Sequence, residues 1–375
     1  MRIFLSWHNT VHNKKRSLAA VAGISFSILL MFMQVGFLDT VKRASTLVYE
    51  DLDFDLLMVF YDYEYMNEAG RFDKVQLIQA NVVDGVDKVA PLNISIGEWE
   101  DPDTEVESSV MIIGIDLDPA FIRNAAIRDG LPSLERTYAV MIDTLSNPAY
   151  GRLSVPREAR INRLDVRAEA PFSLGMGFYA DGAVIVNNQT FYALTRQDPR
   201  EISFGMIKVS PGADPAVVAT AVRSTLSHEI VVFERSQLIT LEQDNFVSVM
   251  PIGIMVQAGV FVSFCVGAVI LFQVLSTEIA NHLNEFATLK AAGFTTGYIY
   301  GVGFQQAALF AVLSYLPAMA ITAGLFYIIH RVTRLPILLT LPLAALILAM
   351  SMMMCLISGF LALRKVKKAD PADLF

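Results

Sequence analysis

Four stretches of this 375-residue chain, 17–38, 247–275, 298–329 and 337–363, contain no aspartate, glutamate, lysine or arginine. They total 110 residues, where the chain-wide charge content of 18% would place about 19 charges. Each reaches the roughly 20 apolar residues that a helix needs to cross a bilayer's hydrocarbon layer. Inside that layer every backbone amide must be satisfied within its own segment, which leaves α-helices as the simplest solution. The stretches are therefore expected to be four transmembrane helices. A water-soluble enzyme, a collagen-like fibre and a disordered tail are excluded together.

The first stretch follows Lys14, Lys15 and Arg16, as a secretory signal would. Its 22 apolar residues exceed the roughly 7–15 of a signal core, and it leaves through Gly36-Phe37-Leu38-Asp39 without a small-x-small cleavage site. An uncleaved signal anchor is expected. Orientation follows the basic residues. Arg2, Lys14, Lys15, Arg16, Lys290, Arg364, Lys365, Lys367 and Lys368 fall on one side, against Arg331 and Arg334 in the turn between the third and fourth spans. Both termini and the 276–297 loop are thus expected in the cytoplasm, with residues 39–246 outside. That external segment holds 33 acidic and 18 basic residues, a net charge of −15, which argues against nucleic acid as a partner. Both cysteines, Cys265 and Cys355, fall in spans, so the external domain must be held by a packed core and not by disulfides.

The external domain reads as mixed α and β. Asp55–Tyr61 patterns as a strand, Lys74–Val83 as a helix and Val89–Ile96 as a strand. Ile202–Val209 alternates, Pro211-Gly212 turns, Asp214 is placed to cap a helix through Leu226, and Glu229–Phe233 returns as a strand. These two β-α-β units suggest one split ferredoxin-like subdomain, about 53–99 and 201–235, interrupted by an insertion of about 100–200. Within the insertion, strands are expected at 108–115, 138–142, 165–172 and 183–186, and helices at 119–127 and 189–194. The acidic run Glu98, Glu100, Asp101, Asp103, Glu105 and Glu107 lacks the glycine and bidentate glutamate of a calcium hand and reads as a solvated hairpin tip.

No phosphate-binding G-x-x-x-x-G-K-[ST], G-x-S-x-G elbow or H-E-x-x-H pair occurs. The expectation is a non-catalytic chain with no catalytic, cofactor-binding or metal-binding residues. His8 and His12 are spaced for one helix face, but two ligands are too few for a metal site. Ile3, Phe4, Trp7 and Val11 form an apolar stripe, so residues 1–16 read as an amphipathic helix at the cytoplasmic interface. The spans carry Gln34, Gln257, Gln273, Gln305 and Gln306 but no aspartate, glutamate, lysine, arginine or histidine. That pattern speaks against an ion-coupled carrier; the glutamines suit interhelical hydrogen bonds better than a transport path.

Residues 276–297 pattern as a helix. Ile279, Leu283 and Phe286 form an apolar line and Glu278, His282 and Glu285 a polar one, while Lys290 and Gly293 make a C-terminal stop. An amphipathic connector would show the same pattern; so would a short stiff helix that a soluble motor could push. Glu278, His282, Glu285, Lys290 and Gly293 are the candidate coupling residues.

The run Glu278-Ile279-Ala280-Asn281-His282-Leu283-Asn284-Glu285-Phe286-Ala287-Thr288-Leu289-Lys290-Ala291-Ala292-Gly293-Phe294 resembles the loop of the DevC family, permease subunits of cyanobacterial ABC exporters within the MacB and FtsX superfamily. Ile28–Phe37 and the closing Lys368-Ala369-Asp370-Pro371-Ala372-Asp373-Leu374-Phe375 resemble the same family. Family members often have proline, tyrosine and methionine where this chain has Asn284, Phe286 and Ala292. The resemblance implies a MacB-like fold: four transmembrane α-helices with a large α+β extracytoplasmic domain inserted between the first and second. It further implies a type VII ABC system in the inner membrane: a permease homodimer, a separate ATPase that supplies ATP and Mg, a periplasmic membrane-fusion adaptor and a TolC-like outer-membrane channel. Motion would pass through the loop to the periplasmic domain, and the cargo would be a lipid, glycolipid or other envelope substrate. The alternative is an FtsX-like transmitter that activates a periplasmic cell-wall hydrolase.

Overall fold

The computed structural model describes residues 14–101, 106–147, 150–151, 153–175, 179–249, 251–281, 296–333, 335 and 337–368. They divide into two compact units, an inserted unit over Thr40–Gly253 with His330–Pro336, and a membrane unit made of the rest. The described chain begins with helix α1 (Lys14–Ser45), whose last residues belong to the inserted unit.

The inserted unit is built on a nine-stranded sheet. Its first half runs α2 (Leu47–Asp51), β1 (Leu56–Phe60), β2 (Phe72–Asp73), α3 (Lys74–Ala80) and β3 (Val86–Glu100). The middle supplies β4 (Glu107–Ile115), α4 (Ala125–Gly130), β5 (Ala139–Asp143), β6 (Arg157–Ile161), β7 (Leu164–Phe172), β8 (Gly182–Asn187) and α5 (Asn188–Thr195). The last part returns with β9 (Glu201–Ile202), β10 (Phe204–Val209), α6 (Pro215–Thr225), β11 (Ile230–Glu234) and α7 (Arg235–Val249). Helix starts follow their side chains: Asp73, Asn124, Asn187 and Asp214 each accept a first-turn amide, and Pro215 sits where no amide partner is needed.

Strand order in the sheet is β11-β1-β10-β3-β4-β8-β5-β7-β6. The strands β1, β3, β10 and β11, with α3 and α6 between them, make a β-α-β-β-α-β arrangement with antiparallel neighbours. The other strands curl round until β6 returns to β3, pairing Trp99 with Ile161 and Glu100 with Arg160. Six strands thus close on themselves. Alternation along them divides the side chains: Val110, Ile112, Val140, Ile142, Val184 and Val186 fill the interior with Trp99, whereas Met111, Ile113, Met141, Ala183 and Ile185 join a second core that includes α2. Burial on both faces explains why β4, β5 and β8 read as nearly unbroken apolar runs. At the open edge, Arg223 donates to the Val232 carbonyl, covering a group another strand would otherwise pair with.

The membrane unit contains α1, α8 (Pro251–Asn281), α9 (Thr296–Thr333) and α10 (Leu341–Lys368). All four are long and apolar enough to cross a membrane.

Several elements differ from expectation. The helix expected over 247–275 starts at Pro251, because residues up to Val249 complete α7. The helix expected over 119–127 breaks into a 3-10 turn at Pro119–Phe121 and α4, with Ile122 bridged to Leu52 between them. The acidic hairpin is only partly solvated. Asp101 is 1% exposed and forms an ion pair with Arg157, itself 9% exposed, while Glu100 pairs with Arg160 at 2.8 Å. Asp103 and Glu105 lie outside the described residues. Strand β6 was not anticipated. Its turn, Asn162-Arg163, has φ of 49° and 67°, the two left-handed residues of a tight hairpin that sequence usually signals with glycine. Here Asn162 supplies the fixing bonds instead, accepting from the Glu98 amide at 2.9 Å and donating to the Leu194 carbonyl at 3.0 Å.

Candidate functional site

The expected coupling segment joins α8 to α9. The first of its candidate residues, Glu278, lies in the last turn of α8, which continues past the apolar run; there the Thr277 hydroxyl donates back to the Gln273 carbonyl at 2.8 Å. His282, Glu285, Lys290 and Gly293 lie outside the described residues, as do the amphipathic stripe of residues 3–11 and the closing 369–375 motif.

What the structure does describe is how the helices beside that segment are joined. Helix α1 meets α9 where Ser25 donates to the Ser314 carbonyl at 3.0 Å. Phe32 packs on Tyr315 with ring centroids 5.7 Å apart, and Gly36 lies under the Phe326 ring. Tyr315 carries on to α10, donating to the Ala344 carbonyl at 2.7 Å. Ser358 of α10 donates to Ala268 of α8 at 2.9 Å, and Gly267 faces Met354. The ring closes where Gln34 of α1 faces Gly259 of α8. Apart from the Phe32–Tyr315 ring packing, these contacts use a small residue for close approach or a hydroxyl on a neighbour's carbonyl, two means by which helices associate in lipid. Among the glutamines, Gln257 and Gln273 are exposed on α8, and the Gln305 Oε1 is buried without a partner. The described bonds between neighbouring helices come from Ser25, Ser358 and Tyr315.

In the inserted unit, the chemistry gathers at Glu242 of α7, which is fully buried. Its Oε1 accepts from the Tyr179 hydroxyl at 2.7 Å and from the Met66 amide at 3.0 Å, and its Oε2 accepts from the Tyr63 hydroxyl. Tyr63 in turn meets the Tyr49 hydroxyl of α2 at 3.0 Å. Burial raises the Glu242 carboxyl above the usual carboxylate range, opposed by its three donors. Burial also raises the Tyr49, Tyr63 and Tyr179 phenols, with the Glu242 charge adding to the effect in each. Nearby, Arg235 donates to the Tyr49 carbonyl at 2.7 Å and the Leu52 carbonyl at 3.2 Å, and Lys42 pairs with Asp244 at 3.1 Å. A glutamate followed by Gln243 and Asp244 reads as a solvated helix face, so sequence pattern gave this cluster no signal. Among the described residues no group of three or more histidine, cysteine or carboxylate side chains could hold a metal ion.

Residues 258–371 match the FtsX-like permease C-terminal family. That region takes in most of α8, the candidate coupling residues, α9 and α10. No curated protein matches the chain. Among solved structures, the extracellular domain of the noncanonic ABC-type transporter YknZ from Gram-positive bacteria is similar at 12% identity, covering 48% of this chain and 100% of that one, with a TM-score of 0.35. The periplasmic region of MacB from Actinobacillus actinomycetemcomitans is similar at 12% identity, covering 51% of this chain and 92% of the other, with a TM-score of 0.35.

Proposed function

We propose that this chain is the non-catalytic permease subunit of an ABC-type exporter, and that it passes ATP-driven motion from a separate ATPase to the inserted domain. The observation that carries the reading is the permease family match over residues 258–371, which includes the segment expected to meet the ATPase. Four apolar helices with one large domain between the first and second suit such a transmitter. The chain would work as a homodimer in the inner membrane, termini and coupling segment in the cytoplasm and the inserted domain in the periplasm. There it would engage a membrane-fusion adaptor and, through it, a TolC-like outer-membrane channel. ATP and Mg would be held by the ATPase, and the cargo would be a lipid, glycolipid or other envelope substrate of the DevBCA type. The FtsX-like family match also favours a second reading, a transmembrane activator of a periplasmic cell-wall hydrolase.

Co-purification with the ATPase and measurement of stimulated ATP hydrolysis test the proposal. Glu285→Lys reverses a charge in the expected contact and should abolish stimulation while leaving the protein in the membrane. Unchanged stimulation would remove Glu285 from the contact, and absence of any ATPase association would sink the permease reading. Capture of a hydrolase in place of an adaptor would favour the second reading.

A further inference from the structure

The chain enters the inserted unit through the end of α1 and through α2, and leaves it through α7. Both routes are bonded to one buried cluster. Each phenol has a single proton. Since Tyr63 donates its proton to Glu242, Tyr49 must donate to the Tyr63 oxygen, so the bonds run in one direction from α2 to α7. The other Glu242 oxygen takes Met66 and Tyr179, so no acceptor oxygen is left idle. Seven residues away on α7, Arg235 closes the two carbonyls at the end of α2, and on the far side of Glu242 the Lys42–Asp244 pair joins α7 to the end of α1. A helix of five residues has no stability of its own. Its position is therefore set by these bonds and by the burial of Tyr49, which is 0% exposed.

We propose that this cluster is a clasp that makes α2 and α7 one mechanical element, with Glu242 as its positioning residue, so that displacement of either segment carries the other. The inference rests on the permease reading only for the source of the displacement. A fully satisfied buried network is stiff, and losing one member leaves the rest uncompensated. The clasp thus predicts coupling between α2 and α7, and not merely stability.

Hydrogen exchange on the full-length protein, free and assembled with its ATPase, with and without a non-hydrolysable ATP analogue, reads α2 and α7 separately. In the native protein both segments should exchange in step and shift together on nucleotide binding. Tyr63→Phe deletes both phenolic links without adding volume, and Glu242→Gln keeps shape while replacing one acceptor by a donor. Each should speed α2 exchange at least tenfold and confine the nucleotide response to one of the two segments, with Trp99 remaining buried in the barrel as evidence of an intact fold. Independent exchange of α2 and α7 in the native protein, or exchange still in step in both variants, overturns the clasp. If no ATPase assembles, the permease reading falls, and the nucleotide-free comparison still decides this one.

Discussion

The ion pair between Asp101 and Arg157 offers the sharpest test of how the inserted unit closes. Asp101 follows β3 and Arg157 begins β6, the two strands whose pairing completes the six-stranded ring. Asp101 is 1% exposed and Arg157 9%. Arg157 also reaches the Tyr150 carbonyl at 3.3 Å, and Tyr150 stacks on Trp99 at 5.3 Å. The fit leaves no spare room: Gly151 has φ of +77°, and a Cβ there would run into the Asp101 carboxylate. Replacing Asp101 by leucine strands the guanidinium in a buried site, which costs about 3–5 kcal/mol. For a unit of this size each kcal/mol moves the midpoint by roughly 2–4 °C, so the fall should be about 6–20 °C. Arg157→Met should cost a similar amount. The double variant, with no buried charge left, should return to within about 1 kcal/mol of the native protein. Trp99 fluorescence on a Trp7→Phe background reports the transition. A shift under about 1 kcal/mol for both single variants, or a double variant as unstable as the two losses added together, would refute a closure that depends on this pair.

Two further outcomes are expected. In the membrane unit, a Cβ at Gly36 would meet Phe326 Cε2 at 2.9 Å, so Gly36→Leu should lower the thermal midpoint in detergent by the equivalent of about 1–3 kcal/mol; Phe326→Ala should offset part of that loss, and additive losses would argue against the contact. Asp51 is pushed up to about 6, by burial first and against the Asn124 hydrogen bond, so the folded state holds its proton more tightly than the unfolded chain and this contribution to stability is lost as pH rises from about 4 through about 6. Between pH 5 and 7.5 native stability should therefore drop more than that of Asp51→Asn, and parallel pH profiles would contradict the reasoning.

The parts of this architecture that could be read from sequence are those whose physics is local. Charge exclusion from a helix in lipid needs no partner, so the four spans were visible from composition, although their ends were not: α8 starts where Pro251 interrupts the chain after α7, and the apolar run begins before it. Asp214 announced α6 because a cap is a bond between near neighbours. What could not be read is whatever depends on a distant partner. The alternation Arg157-Glu158-Ala159-Arg160-Ile161 is as charged as a surface loop; it becomes a strand by pairing with β7 across a turn that has no glycine to announce it, and its closure onto Trp99 comes from far back in the chain. Asp101 looked solvated among five other acidic residues until Arg157, 56 positions on, covered it. Glu242 is the extreme case, since its donors come from Tyr63, Met66 and Tyr179, 179, 176 and 63 residues away. In a domain whose entry and exit lie about 200 residues apart, the bonds joining those two ends are necessarily of this kind. Any motion passed through such a domain, as proposed, would therefore travel by contacts that local pattern does not reveal.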